Sequence, residues 1–164
     1  VNRAFSIGNK GEQAVINFFT QNGIEAVKDE DKTKRYDHDI LCKLGKTKFT
    51  CEVKFDAMAA KTGNVAIEHH NSKKDEPSGI EITKADIWIH LLKDDNNITI
   101  WATNVKTLKD FVKNNEPFKK TTKSGDNNAN LMLYKLEAIL PIFIQLDNIS
   151  QKELVQKSVK SLLK

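Results

Sequence analysis

Two alternating runs, residues 36–44 and 48–55, joined by a glycine turn, constrain this chain more than any other feature. Leu44-Gly45-Lys46-Thr47 puts glycine at the first central position of a two-residue turn, which suits type II′ and so a tight antiparallel hairpin. In that register Leu44 faces Thr47, Ile40 faces Cys51, Asp39 faces Glu52 and Asp37 faces Lys54. Alternation gathers Ile40, Cys42, Leu44, Phe49, Cys51, Val53 and Phe55 on one face, a buried side, and Asp37, Asp39, Glu52 and Lys54 on the other. Opposed like charges cost on the order of 0.2–1 kcal/mol even when exposed, and more when covered. A divalent cation removes that objection. Two carboxylates with waters and a backbone carbonyl suit Mg²⁺, a hard ion that prefers oxygen ligands and keeps part of its hydration shell.

The remaining pattern is mixed. Residues 9–22 read as a helix, with Val15, Ile16, Phe18 and Phe19 at helical spacing before the stop at Asn22-Gly23. Glu12 stands on the same face as Val15, Ile16 and Phe19, where a carboxylate needs a partner; a solvated carboxylate in the first turn, favoured by the helix dipole, is the plainer alternative. A third strand is expected at 64–70, a break at Pro77-Ser78-Gly79, and a short helical turn capped within Thr83-Lys84-Ala85-Asp86. Further strands follow at Ile87–Leu92 and Ile98–Ala102 around an Asp94–Asn97 turn, then an amphipathic helix at 104–114. Asn114–Asn130 reads as a mobile loop, Leu131–Ile144 as one more strand region and 150–163 as a terminal helix. The fold class is α/β, a mixed sheet with an early antiparallel hairpin flanked by helices, in one domain spanning 1–164.

With 39% hydrophobic and 29% charged residues among 164, the chain has material for a core. No apolar run approaches the ~18 residues of a membrane span, and the first twenty residues lack a signal-peptide layout, so an intracellular, cytoplasmic protein without membrane contact is expected. Cys42 and Cys51 are too few for a disulfide framework and lack zinc-ligand spacing. Residues 1–60, 61–100 and 101–164 carry net charges of +1, −2 and +5, so the last third holds the excess. The cations are 24 Lys and two Arg, Arg3 and Arg35. Bidentate reading of guanine falls mostly to arginine, which leaves this chain few such readers.

A helix bearing Gly11-Glu12 after Ser6-Ile7-Gly8-Asn9-Lys10, then Asp39, then Glu52-Val53-Lys54 resembles the PD-(D/E)XK nuclease superfamily, and within it most the Holliday-junction resolvase branch. The resemblance spans residues 6–92 and implies a restriction-endonuclease-like catalytic core of about 6–104 with a basic part at 105–164. It implies that Asp39 and Glu52 bind Mg²⁺, with Mn²⁺ as a substitute, that the Val53 carbonyl is a further ligand, that Glu12 helps hold the metal or its waters, and that Lys54 orients the attacking water. His38 stands where the superfamily has proline, and Asp37 rivals Asp39; the hairpin register and the strand continuing through Ile40-Leu41 favour Asp39. Beside two carboxylates the Lys54 ammonium stays protonated and stabilises charge more than it accepts protons. A cross-strand ion pair with Asp37 is its structural alternative.

Other residues carry weaker signals. Glu68 and His70 are candidate neighbours of the site, while His69 points to the opposite strand face. His38, on the apolar face, reads as a partnered core histidine, and Cys42, Cys51, Trp88 and Trp101 as packing residues. Because an acidic metal site repels DNA, another region must draw the duplex in; Lys84, Lys106, Lys109, Lys113, Lys119, Lys120 and Lys123 are the candidates, although a solvated face would look the same. The expectation is a Mg²⁺-dependent endodeoxyribonuclease, homodimeric because one site cuts one strand. The arginine shortage favours selection of DNA structure over sequence. A restriction or homing endonuclease of the same superfamily is the alternative, and a non-catalytic nucleic-acid-binding module the rival of another class.

Overall fold

Apolar side chains at Val15, Ile16, Phe18 and Phe19 give helix α1 (Arg3–Gln21) the side that faces the core. It begins well before residue 9 and ends where Gly23 takes a φ of 74°, a turn open to glycine at little steric cost. The structure, a computed structural model, describes residues 3–31, 33, 38–122 and 128–164. A four-residue strand that the sequence pattern does not announce, β1 (Glu25–Lys28), pairs antiparallel with β2 (Ile40–Leu44) and forms one sheet edge. Strand β2 then turns through Gly45, at φ 62°, into β3 (Thr47–Asp56). The register is the one the turn dictates, Ile40 opposite Cys51 and Leu44 opposite Thr47. The first strand of the hairpin is shorter than the predicted 36–44, however. It starts at Ile40, and Asp39 lies in a bend just before it.

Strand β3 changes partner along its length. Thr47–Cys51 pairs with β2, and Cys51–Asp56 pairs in parallel with β6 (Ile87–Asp94). Between them run a short helix α2 (Ala59–Thr62), β4 (Asn64–Asn71), β5 (Glu76–Pro77) and a 3₁₀ turn at Gly79–Glu81. The helical turn expected at 83–86 is displaced to Gly79–Glu81; Thr83 instead accepts the Ala85 amide through its hydroxyl and leads straight into β6. Strand β7 (Asn97–Asn104) returns antiparallel to β6, and Asn104 caps α3 (Val105–Asn114) by accepting the Lys106 amide.

The tail differs from the expectation. Within the stretch read as a loop, β8 (Lys119–Thr121) pairs with β9 (Ala129–Lys135), while residues 123–127, including Lys123, lie outside the described residues. The apolar run Leu131–Ile144 is not one strand: β9 stops at Lys135, helix α4 (Leu136–Ile139) and a 3₁₀ turn with Pro141 follow, and β10 (Ile144–Gln145) joins β7. Helix α5 (Lys152–Leu162) closes the chain.

The central sheet has the order β1-β2-β3-β6-β7-β10, and a second sheet the order β5-β4-β9-β8. One face of the central sheet meets α1 and α5 through Ile40, Cys51, Ile89 and Leu91 against Val15, Phe19, Val155 and Val159. The other carries Trp88, packed with Val65 and Ile67 of the second sheet and with Val105 and Leu108 of α3. That face is therefore covered by a sheet as well as by helices. Cys42 and Cys51 are buried free thiols 3.9 Å apart, packed as expected. Among the described residues no helix is long and apolar enough to cross a membrane.

Candidate active site

The site forms where β3 loses β2 and has only β6 beside it. Asp39, in the bend before β2, donates its amide to the Cys51 carbonyl at 2.9 Å and accepts the Val53 amide through Oδ2 at 2.8 Å. The carboxylate thus takes the place of the missing strand. A strand residue directs its N–H and C=O to the same edge, so the Val53 carbonyl lies on the edge that β2 has left, where its amide meets Asp39. Glu52, only 8% exposed, receives Lys54 Nζ on Oε1 at 3.1 Å and the Thr83 hydroxyl on Oε2 at 3.4 Å.

Asp39, Glu52 and Lys54 line one cleft of about 660 Å³. Its far wall comes from the second sheet and the turn behind it: Glu68, Asn71, Lys74, Ser78 and Lys84. Gly79 makes that wall possible. Its φ is 55°, and a Cβ there would strike the Glu68 carbonyl. Packing of the helix on the sheet is also close at Gly11, where a Cβ would lie 3.3 Å from Leu91 and 3.4 Å from Phe55, and this brings the adjacent Glu12 to the sheet. Glu12 Oε2 meets Lys28 Nζ at 3.3 Å.

Electrostatics mark the same group. Burial, opposed by the Lys54 ammonium and reinforced by repulsion from Asp39, pushes the Glu52 carboxyl up to about 7. Burial also raises Asp39, against the lowering effect of the Val53 amide and Lys54, and raises Glu12, which Asp39 repels in turn. Lys54 is held above the ordinary lysine range because attraction to Glu52, Glu68 and Asp39 outweighs its burial. Burial is the first cause of all three raised carboxyls, and it acts against the pull of Lys54 on Asp39 and Glu52 and of Lys28 on Glu12.

The predicted residues are not all brought together. His70 turns away to Asp75, 3.1 Å from Nε2, and does not line the cleft. A β-bulge between Glu68 and His70 breaks the alternation on which a shared role would rest. Asp37 lies outside the described residues, and Lys54 is paired with Glu52. His38 is not on a strand face; it precedes β2, and Nε2 lies 2.7 Å from Asp29 Oδ2. Of the lysines, Lys84 lines the cleft, and Lys109 donates to the Thr83 carbonyl at 3.1 Å. Lys109 and Lys113 rim a smaller hollow of about 370 Å³. Lys106 is exposed on α3, and Lys119 and Lys120 are exposed on β8, an edge strand.

Sequence reasoning missed Lys28 and the packing role of Gly79, and it read Thr83 as part of a capped turn, not as the partner of Glu52. A strand of four residues gives too short an alternation to place Lys28 beside Glu12. The one available signal for Gly79 was its place in Pro77-Ser78-Gly79, which shows a break but not what packs against it.

No protein-family model matches this sequence, and no curated protein matches it. Solved structures similar in fold include two described as nucleic-acid enzymes. A Holliday junction resolvase, Hjc, of Archaeoglobus fulgidus matches with 12% identity over 86% of this chain and 93% of its own, at a TM-score of 0.45. A bacterial homing endonuclease matches with 15% identity over 79% of this chain and 89% of its own, at a TM-score of 0.51. The second likeness is one of fold: the chain has a mixed α/β architecture, a six-stranded mixed sheet with flanking helices, similar to restriction-endonuclease-like folds.

Proposed function

We propose that this protein is a Mg²⁺-dependent endodeoxyribonuclease that selects DNA by structure, as a junction resolvase does, and acts as a homodimer. The observation that carries the reading is the convergence of Asp39, Glu52 and Lys54 on one cleft at the point where β2 leaves β3.

Among the described residues no group of three His, Cys, Asp or Glu side chains is placed to hold a metal ion. The donor set nevertheless suits a hard, partly hydrated cation: two carboxylates, both raised by burial against the pull of Lys54, and a backbone carbonyl on the same strand edge as Asp39. Asp39, Glu52 and the Val53 carbonyl would hold Mg²⁺, with Mn²⁺ as a substitute, and Glu12 would face its waters. Bound there, the ion would supply neutralisation of charge building on the phosphate. Lys54, kept protonated by the carboxylates around it, orients the attacking water and stabilises the developing oxyanion. Thr83 fixes the Glu52 carboxylate through its hydroxyl.

DNA reaches this acidic cleft on the strength of lysines elsewhere. Lys84 stands at the cleft wall, and Lys106, Lys109, Lys113, Lys119, Lys120 and Lys123 belong to the third of the chain with the net charge of +5. With two arginines in the chain, contacts fall on phosphate and shape more than on base edges.

The test is incubation with synthetic four-way junction, flap and linear duplex DNA, with Mg²⁺ or EDTA. Cutting of the branched substrates with Mg²⁺ alone is expected. Binding without any cutting would leave a nucleic-acid-binding module, and cutting at one sequence of linear duplex would overturn selection by structure.

A further inference from the structure

Beneath the cleft lies a buried polar chain that the proposed chemistry does not use. Glu52 and Lys54 of β3 are the Cα partners of Trp88 and His90 of β6. Trp88 is 0% and His90 1% exposed, and Asp56, two residues beyond Lys54, is 8% exposed. Buried polar groups at that depth need partners, and here each has one. Trp88 Nε1 donates to His90 Nδ1 at 3.2 Å, and His90 Nε2 stands 3.0 Å from Asp56 Oδ2.

An indole N–H can only donate, so Nδ1 of His90 accepts from Trp88, and Nε2 is left as the ring nitrogen that donates to Asp56. Asp56 accepts further bonds from the amides of Met58, Ala59 and Ala66, so its own carboxylate cannot turn. The result is a rigid frame, with the rings of Trp88 and His90 only 12° from parallel. Lys54 Nζ lies 5.8 Å from the centroid of the Trp88 ring and 3.1 Å from Glu52 Oε1. A flexible side chain with high rotamer entropy is thus held between a carboxylate and an aromatic face, within cation–π range.

We propose that Trp88, His90 and Asp56 are positioning residues for Lys54: Asp56 and His90 lock the indole, and the indole face restrains the ammonium beside Glu52. The proposal rests on the reading of Lys54 as a group of the nuclease site. A packing role alone would require the Trp88 ring, but not the orientation imposed on it through His90.

Two measurements test it. In the proton NMR spectrum of selectively labelled protein, the Lys54 ε-methylene signals are expected upfield of the other lysines, and Trp88→Leu is expected to return them to the common envelope. This readout needs no activity and survives failure of the nuclease reading. Unshifted Lys54 signals in the unmodified protein would overturn the proposal. In cleavage assays well below the melting temperature, His90→Leu is expected to lower kcat by about tenfold to a hundredfold with KM unchanged, the signature of a misplaced group. His90→Gln, which can both accept from Trp88 and donate to Asp56, is expected to recover most of that loss. Equal kcat in the unmodified protein and His90→Leu would overturn the proposal, as would equal losses in the Leu and Gln variants at equal thermal stability. If Trp88→Leu fails to fold, Trp88→Phe, which keeps a ring but not the N–H, is expected to shift the Lys54 signals part of the way, and no shift there would overturn it too.

Discussion

Asp39 Oδ2 accepts the amide of Val53 at 2.8 Å, so one side chain completes a strand's hydrogen bonding at the point where the neighbouring strand is missing. The contact gives Asp39 a structural duty separable from any chemistry. Asp39→Ala leaves the Val53 amide unpaired in a covered site and is expected to lower stability by about 1–3 kcal/mol in urea unfolding. Asp39→Asn keeps an acceptor oxygen and is expected to unfold within about 1 kcal/mol of the unmodified protein while losing DNA cleavage. If both variants cut normally, Asp39 is not a ligand of the site.

Glu52 makes stability depend on pH. Its carboxyl lies at about 7 in the folded chain against an ordinary 4.5, because burial disfavours the charged form. The folded state therefore holds this proton more tightly than the unfolded state. That contribution is fully present below about pH 4.5 and is lost as pH rises to about 7, amounting to about 3 kcal/mol at most. Melting curves of protein in EDTA are expected to show stability falling across that window more steeply in the unmodified protein than in Glu52→Gln. Glu52→Gln is also expected to keep the fold and abolish cutting. Parallel pH profiles for the two proteins would remove Glu52 from this role.

The parts of this architecture legible in the sequence are those encoded locally. Gly45 and the period-two alternation fix the hairpin and its register, and Asn104 followed by Leu108 and Val112 marks α3. What escaped depends on distant partners. The run Leu131–Ile144 is apolar throughout, and only pairing of β9 with β4, far back in the chain, decides where strand gives way to helix. Asp39 reaches the site because its carboxylate replaces a missing strand, a fact invisible to alternation, which placed it opposite Glu52 in a continuing ladder. Lys28 and Thr83 enter the site only once β1 and the 79–86 segment have folded against α1 and β3.

Two glycines with similar φ separate backbone strain from steric collision. Gly45 has a φ of 62° with open space around it, and Gly79 has a φ of 55° with the Glu68 carbonyl carbon 2.8 Å from any added Cβ. Gly45→Ala bears only the left-handed penalty, about 1 kcal/mol. Gly79→Ala must also displace β4 backbone and is expected to cost more than about 3 kcal/mol. Denaturant unfolding of the two variants side by side decides the matter, and equal losses would show that the wall of the cleft yields freely.

The lysines offer a last separation. Lys109 is an exposed residue, yet its ammonium donates to the Thr83 carbonyl at 3.1 Å, and Thr83 in turn holds Glu52. Lys106 and Lys119 are exposed on α3 and β8. If all three touch phosphate, each substitution by Met weakens DNA binding and lowers the slope of log affinity against log salt by about 1. Only Lys109→Met should also lose stability, about 1 kcal/mol for the bond to Thr83, and loosen the carboxylate that Thr83 steadies. Binding titrations from low to physiological salt, paired with thermal melts, test both halves. A Lys109→Met protein with unchanged melting and a full loss of binding would make that lysine a phosphate contact alone, and an unchanged salt slope in all three variants would move the DNA surface away from α3 and β8.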